Sequence, residues 1–295
     1  MNPPNLVNPS LMLQNARLPD KTRLNDEEFA RISSYVTRNY GIKLPPEKKI
    51  MVEGRLQKRL RATAMPDFKS YVDLVLSEKG ETELFAMIDA ISTNKTDFFR
   101  ESSHFDYLKD VFLPQWVEKH PHKVLNIWSA ASSSGEECYT IAMVIEEFNR
   151  LNSQKVEYSI FGTDISRDIL RKAVMAVYTS DRIKDVPPEL RNRYFLRSKN
   201  RDQDTVRVIA KLRSKCRFGR LNLMDPDYKL TESFDLIFCR NVLIYFDQYN
   251  QEQVIRKLCN KLKPEGYFFL GHSESILGKN VPLLQLKPTI YRHMA

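Results

Sequence analysis

A chain of 295 residues that is 42% hydrophobic and 11% aromatic can bury a sizeable core and is expected to hold one large domain plus a smaller one. No apolar run approaches the ~18 residues of a membrane-spanning helix. The opening MNPPNLVNPSLMLQ has neither a charged leader nor a secretory apolar core, so membrane insertion is excluded and a cytoplasmic protein is expected. The net charge of +9 is concentrated between Asp181 and Arg220, where thirteen Lys/Arg stand against five Asp/Glu. Such a stretch is either a solvated rim or a surface that faces something acidic.

In chain order, residues 1–20 are rich in Pro and Asn and aperiodic, which predicts a flexible arm. From Asn25 the apolar spacing turns helical through LNDEEFARISSYVTRNYGI, PPEKKIMVEGRLQKRLRATAM, DFKSYVDLVLSEKG and ETELFAMIDAIST. These pieces predict an all-helical domain over residues 21–93, followed by a linker and helix over 94–122. From residue 123 the period changes. The runs VLNIW, YSIFGTD, CRFGRLNL, FDLIFCRN, GYFFLGH and IYRHM read as strands, with helices such as GEECYTIAMVIEEFNRL and QEQVIRKLCNKL between them. Alternation of this kind predicts an α/β fold, a parallel sheet with helices on both faces. In such sheets the ligand lies beyond the carboxyl ends of the strands, where strand order reverses.

The loop after VLNIW is therefore the place to look, and it reads WSAASSSGEE. A phosphate-gripping loop crowds backbone N–H groups round an anion with several glycines, and the P-loop form adds a lysine. This loop has one glycine and no lysine, and it ends on Glu136 and Glu137. Two carboxylates repel phosphate and favour a cation. S-adenosylmethionine, a nucleoside with a sulfonium and an ammonium group and no phosphate, fits that pattern; a plain helix cap fits it too. Asp164 closes the second strand where a carboxylate accepts from ribose hydroxyls. Asn222 closes the third, placed for an adenine edge, and Arg240 with Asn241 closes the fourth. The cysteines at 138, 216, 239 and 259 are far apart and no histidine stands at metal-ligand spacing. Neither disulfide nor metal is expected, and each cysteine reads as a buried small hydrophobe.

The segments TNKTDFFRE, WSAASSSGEECYTIAM, FGTDIS, RLNLMD, FDLIFCRNVLIYF and GYFFLGHSES, in this order and spacing, resemble the chemotaxis receptor methyltransferases of the CheR type. The resemblance runs from about Asn25 to the end. It implies a helical N-terminal domain followed over 123–295 by a class I, Rossmann-like methyltransferase domain with a small β-subdomain at about 186–218. The implied activity is transfer of a methyl group from S-adenosylmethionine to glutamate side chains on cytoplasmic chemoreceptor helices. The products are glutamate methyl esters and S-adenosylhomocysteine.

The resemblance also implies site residues. Cofactor contacts fall on Asn94, Thr96, Arg100, Glu136, Asp164, Asn222, Leu223, Arg240 and Asn241, and Tyr245 lies near the transferred methyl group. A guanidinium fork makes Arg100 a fitting partner for the methionine carboxylate. Where the family has Pro after the glutamate pair, this chain has Cys138. In some family members the β-subdomain tethers the enzyme to a receptor C-terminal peptide. Here Arg197 and Arg207 match the peptide-binding arginines, while Ser198, Asn200 and Asp204 replace the glycines. An acidic receptor tail is thus an expected partner without its usual sequence, the other reading being a basic rim that steers encounter. Arg55, Lys58 and Arg59, at helical i, i+3, i+4 spacing, are expected to lie along an acidic receptor helix. A monomer is expected, with no nucleic acid as partner. Two alternatives stay open from the residues alone: a same-fold methyltransferase acting on RNA or a small molecule, and a non-catalytic protein that binds S-adenosylmethionine or a receptor.

Overall fold

The computed structural model describes residues 22–200 and 202–294, so the arm expected over residues 1–20 lies outside the described residues. The chain divides into two compact units, one running to Tyr35 and resuming over Leu44–Ile91, the other made of Val36–Lys43 and Ser92–Ala295.

The first unit is helical. It contains most of α1 (Asp26–Tyr40), then α2 (Lys49–Thr63), α3 (Phe68–Val75) and α4 (Glu81–Ile91). α1 opens on a reciprocal cap: the Asn25 side chain accepts from the Glu28 N–H at 2.8 Å and Glu28 accepts from the Asn25 N–H at 2.9 Å. α3 opens on Asp67, which accepts from the Ser70 N–H at 2.7 Å. Leu56, Leu60, Val72, Met87 and Ile88 on the inner faces are buried.

The second unit begins with α5 (Ser103–Tyr107), which passes through one π-helical turn into α6 (Leu113–Lys119). There follow β1 (Val124–Ala130), α7 (Glu136–Leu151), β2 (Glu157–Asp164), α8 (Arg167–Met175), β3 (Val177–Thr179), α9 (Pro188–Tyr194), β4 (Phe195–Arg197), β5 (Thr205–Val208) and α10 (Ala210–Arg213). The chain ends with β6 (Cys216–Arg220), β7 (Phe234–Cys239), α11 (Gln248–Cys259), β8 (Leu262–Leu270), β9 (Leu283–Lys287) and β10 (Ile290–His293). Seven strands form one sheet in the order β6-β2-β1-β7-β8-β10-β9, and β3-β5-β4 form a separate three-stranded antiparallel sheet.

Strand alternation explains why the large sheet is covered on both faces. Ile127, Leu236 and Phe238 belong to one buried cluster, with α7 residues such as Ile141 and Ile145. Their neighbours Trp128, Ile237 and Cys239 belong to another, with Val254 and Leu258 of α11. Successive side chains point to opposite faces, so strands buried on both read as unbroken apolar runs.

The sheet is not wholly parallel. β10 runs antiparallel to both β8 and β9. β9 and β10 are separated only by Pro288 and Thr289, with Thr289 at φ 61°. A two-residue connection permits an antiparallel hairpin and no parallel crossover. β1 lies between β2 and β7, both parallel to it, so strand order reverses at β1 and the ends of β1, β2, β6 and β7 share one edge.

Candidate active site

The loop from β1 into α7 manages with one glycine by placing alternate residues in the left-handed region. Ala131 (φ 62°), Ser133 (φ 49°) and Gly135 (φ 92°) all have positive φ. Only the last position needs glycine for space as well: a Cβ there would stand 3.0 Å from Ala173 Cβ and 3.2 Å from Tyr139 Cε2. At the other two the strain is about 1–2 kcal/mol each, offset by bonds that hold the loop. The Ser132 N–H donates to Thr163 O at 2.8 Å, the Ser133 N–H to the Asp164 carboxylate at 2.9 Å and the Gly135 N–H to Ser132 O at 3.0 Å. The Ser133 hydroxyl donates to Asn94 O at 3.0 Å, and the Tyr178 hydroxyl to Ser134 O at 2.7 Å.

Asp164, at the end of β2, is 7% exposed and also accepts from the Ser166 N–H at 3.0 Å. It thereby ties the β1 loop to the N-terminus of α8, where Ser166 caps through the Ile169 N–H at 3.2 Å.

The two glutamates at the start of α7, read from sequence as carboxylates that repel phosphate and favour a cation, are each paired within the protein. Glu136 is 1% exposed and takes a salt bridge from Arg182 at 2.6 Å and a hydrogen bond from the Ser134 hydroxyl at 2.6 Å. Glu137 accepts from the Ser129 hydroxyl at 2.7 Å and pairs with Arg240 at 2.8 Å. Their charge is matched inside the protein. The N–H groups of Ser132, Ser133 and Gly135 are likewise committed within the protein, to Thr163 O, the Asp164 carboxylate and Ser132 O.

Arg240 is turned inward, with a side chain only 2% exposed. Besides Glu137 it meets Glu101 at 2.9 Å and donates to the Arg100 carbonyl, and its guanidinium stands 5.3 Å from the Phe105 ring centroid. Burial alone would raise the Glu101 carboxyl, but the Asn241 amide and the Arg240 guanidinium outweigh it and hold the group at about 2. Any cofactor contact from Arg240 falls to its backbone, because its fork is spent on two carboxylates.

The TNKTDFFRE segment runs beside the β1 loop. Asn94 and Arg100 are half-buried and Thr96 is buried. Arg182 donates to the Thr96 carbonyl and pairs with Asp97 at 3.1 Å as well as with Glu136. Phe99 and Glu101 adopt positive φ of 55° and 57°, and the Phe99 N–H is taken by Thr140 Oγ1 at 3.2 Å. The Arg100 guanidinium donates to Lys95 O at 2.9 Å.

At the other strand ends, Asn222 is half-buried; its amide donates to Asn39 O at 2.8 Å and its oxygen accepts from the Met224 N–H at 3.0 Å. Leu223 is buried and its carbonyl accepts from the Tyr228 hydroxyl and the Lys257 ammonium. Asn241 has φ 58° and its amide donates to Glu101 at 2.9 Å. Tyr245 is half-buried on the single 3-10 turn Leu243–Tyr245.

The basic residues expected to meet a partner are differently engaged. In the helical unit, Arg59 holds Glu83 with two bonds of 2.8 and 2.6 Å and Arg55 donates to Ile91 O at 2.7 Å, while Lys58 is exposed. In the basic stretch, Arg182, Arg193, Lys211, Lys215 and Arg217 pair with Glu136, Glu147, Glu146, Glu157 and Glu232, all outside it. Much of the local charge excess is answered by this chain's own carboxylates. Arg197 and Arg207 are exposed, but Arg197 pairs with Val206 and Arg207 with Leu196, so the pleat sends them to opposite faces of the small sheet. Arg197 lines a cavity of about 440 Å³ with Arg191, Asn192 and Phe195.

Three groups escaped the reading of spacing. Glu101, His104 and His272 bring ligand atoms within 4.8 Å of one another, because the end of β8 carries His272 to α5. Burial and then Arg240 hold the His104 imidazole down at about 3, and its Nε2 meets Thr289 Oγ1 at 2.7 Å. A guanidinium already sits on the carboxylate and His272 meets the Ser103 hydroxyl at 3.2 Å, while the buried His104 Nδ1, 3.7 Å from Glu101, makes no hydrogen bond. Arg182 and Glu274 are the other two; neither stands at a strand end. Of the thiols, Cys138, Cys239 and Cys259 are buried and Cys216 is half-buried.

The CheR methyltransferase SAM binding domain matches residues 94–291, and the CheR methyltransferase all-alpha domain matches residues 27–92. The chemotaxis protein methyltransferase of Borreliella burgdorferi is 39% identical over 272 residues, covering 91% of this chain and 95% of that protein. The chemotaxis protein methyltransferase of Escherichia coli is 38% identical, covering 90% and 89%, and that of Salmonella typhimurium is 36% identical, covering 90% and 88%. With both parts matched in order and most of each relative spanned, the chain belongs to the CheR methyltransferase family.

Proposed function

We propose that the protein is a chemotaxis protein methyltransferase that uses S-adenosylmethionine to esterify glutamate side chains on the cytoplasmic helices of a chemoreceptor. Its family and the names of its relatives support the reaction. The observation that carries the site is Asp164, a buried carboxylate pinned by two loop N–H groups at the end of β2. It lies beside a loop of Ala and Ser small enough for a nucleoside to approach the backbone.

The residues present fit the cofactor. Asp164 is oriented to accept from ribose hydroxyls, Arg100 offers a fork to the methionine carboxylate, and Asn94, Thr96, Glu136, Asn222, Leu223, Arg240 and Asn241 border the same edge of the sheet. Held there, S-adenosylmethionine would supply a methyl group on sulfonium to a glutamate oxygen, the C–S electron pair remaining on sulfur in S-adenosylhomocysteine. No proton moves, because a substrate glutamate with a pKa near ~4.3 is already ionised at neutral pH. The protein's part is to align the carboxylate, with Tyr245 near the methyl group, and to exclude water.

No described helix is long and apolar enough to cross a membrane, in keeping with an enzyme that meets its receptor from the cytoplasm. The enzyme acts as a monomer. An acidic receptor tail is the further partner, with Arg197 and Arg191 at the cavity beside the small sheet as its anchor and Arg207 acting from the opposite face. Lys58, the exposed member of the three basic residues on α2, is the one offered to the methylation helix. Calorimetry tests the cofactor: S-adenosylmethionine and S-adenosylhomocysteine bind, NAD and ATP do not. Comparable binding of NAD overturns the reading of the β1 loop.

A further inference from the structure

Glu274, in the segment GHSES after β8, is 7% exposed and touches none of the groups assigned to substrate or cofactor by their own side chains. One of its oxygens accepts from the Val242 N–H at 2.9 Å and the Leu243 N–H at 2.7 Å. The other accepts from the Asn241 N–H at 2.9 Å and the Gly271 N–H at 2.7 Å. Four backbone donors thus converge on one carboxylate, and three come from consecutive residues that lead into the turn bearing Tyr245. A carboxylate offers about four acceptor sites, so this arrangement uses them all.

Asn241 lies at φ 58°, a left-handed conformation that asparagine adopts more readily than other side chains, and its N–H is thereby turned toward the carboxylate. Glu101 grips the same residue by its amide at 2.9 Å. Gly271 makes room for the approach: a Cβ there would lie 2.6 Å from Asn241 Nδ2, 2.8 Å from Asn241 N and 2.9 Å from Glu274 Oε2.

We infer that Glu274 is a positioning residue for methyl transfer: by gathering the N–H groups of residues 241–243 it sets the turn that presents Tyr245 to the reacting centre. The inference rests on the role proposed for Tyr245. In-line transfer depends on alignment, and a displacement of about 1 Å costs on the order of a hundredfold in rate. The carboxylate holds that alignment before substrate arrives, without entering the chemistry.

Two variants and one measurement on the parent test it. Glu274→Gln keeps the shape but sets an NH₂ group against two backbone donors. Gly271→Ala pushes the same turn away without altering an ionisable group. Each is compared with the parent for base-labile methylation of receptor-bearing membranes and for S-adenosylmethionine affinity by calorimetry. Both variants should lose about tenfold or more in kcat and a smaller factor in cofactor affinity, with a calorimetric stoichiometry equal to the parent's, which a general loss of folded protein would lower. A parent that methylates normally beside variants within about twofold of its kcat sinks the positioning role and leaves the enzyme assignment standing; an inactive parent sinks the assignment itself. Hydrogen exchange on the parent decides the matter should either variant fail to fold. The amides of Asn241, Val242, Leu243 and Gly271 should be protected as strand amides are, and exchange at open-loop rates overturns the proposal.

Discussion

Replacing Asp164 by Ala removes one carboxylate and strands two buried donors, the Ser133 N–H at 2.9 Å and the Ser166 N–H at 3.0 Å. An unsatisfied buried donor costs about 1–3 kcal/mol, so with two stranded the variant should lose roughly 2–6 kcal/mol of stability in chemical denaturation. The second effect is on the cofactor. Loss of charge-assisted bonds to the ribose should weaken S-adenosylmethionine by about 1.5–3 kcal/mol, or roughly ten- to a hundredfold in Kd. Asp164→Asn separates the two. Its amide oxygen can still accept one loop N–H while its NH₂ opposes the other, so stability should fall less and cofactor affinity nearly as much. Calorimetry and urea unfolding on the same preparations read both quantities. If Asp164→Ala and Asp164→Asn each bind S-adenosylmethionine within about twofold of the parent, Asp164 is not the ribose acceptor; if stability is also unchanged, the loop is held by something else.

Arg240→Met leaves Glu101 and Glu137, each with a side chain 13% exposed, without their shared partner. Removing one member of a buried ion pair costs about 3–5 kcal/mol, so this variant should unfold at much lower urea than the parent, and an unchanged midpoint contradicts the account. Stability should fall on acidification for two reasons. The Glu101 carboxyl is held at about 2 against an ordinary 4.5, so its contribution is full above 4.5 and is lost as the pH falls toward 2. His104 is held at about 3 against 6.5, so the unfolded chain takes up a proton between those values that the folded chain refuses, and stability again falls with pH across that window. Urea midpoints of the parent and of His104→Gln, followed from pH 7 to 4, should diverge, with the variant flatter; parallel curves refute the buried neutral imidazole. Peptides matching the acidic C-terminal tails of the organism's receptors should bind saturably at moderate salt, and Arg197→Ala with Arg207→Ala should abolish it; no binding to any tail leaves the arginines only a steering role.

The parts of this protein written in local pattern were legible in the sequence. α1 to α4 follow from caps at Asn25 and Asp67 and from helical spacing, and β1, β2, β7 and β8 follow from apolar runs buried on two faces, while β6, an edge strand with no buried residue, follows only from its place in the strand–helix alternation. The edge hairpin was legible by half: IYRHM reads as the strand that becomes β10, while LLQLK, three of whose five residues are leucine, goes unread as β9. Asp164 is singled out from sequence because strand ends border the crevice in such sheets. Arg182 and Glu274 are not, since Arg182 meets Glu136 across 46 residues and Glu274 gathers residues 241–243 across 31–33, and only the fold brings them together. The acidity of the β1 loop was misjudged for the same reason: sequence displays Glu136 and Glu137 but not the arginines that answer them.

The central claim is that this protein makes glutamate methyl esters, and one measurement meets it directly. The purified protein is incubated with methyl-labelled S-adenosylmethionine and membranes rich in a chemoreceptor, and the label is then followed through mild base. The account predicts label on the receptor band that is released as methanol by base and is absent when the acceptor glutamates are replaced by alanine. Label that survives base, or that appears equally without those glutamates, contradicts it.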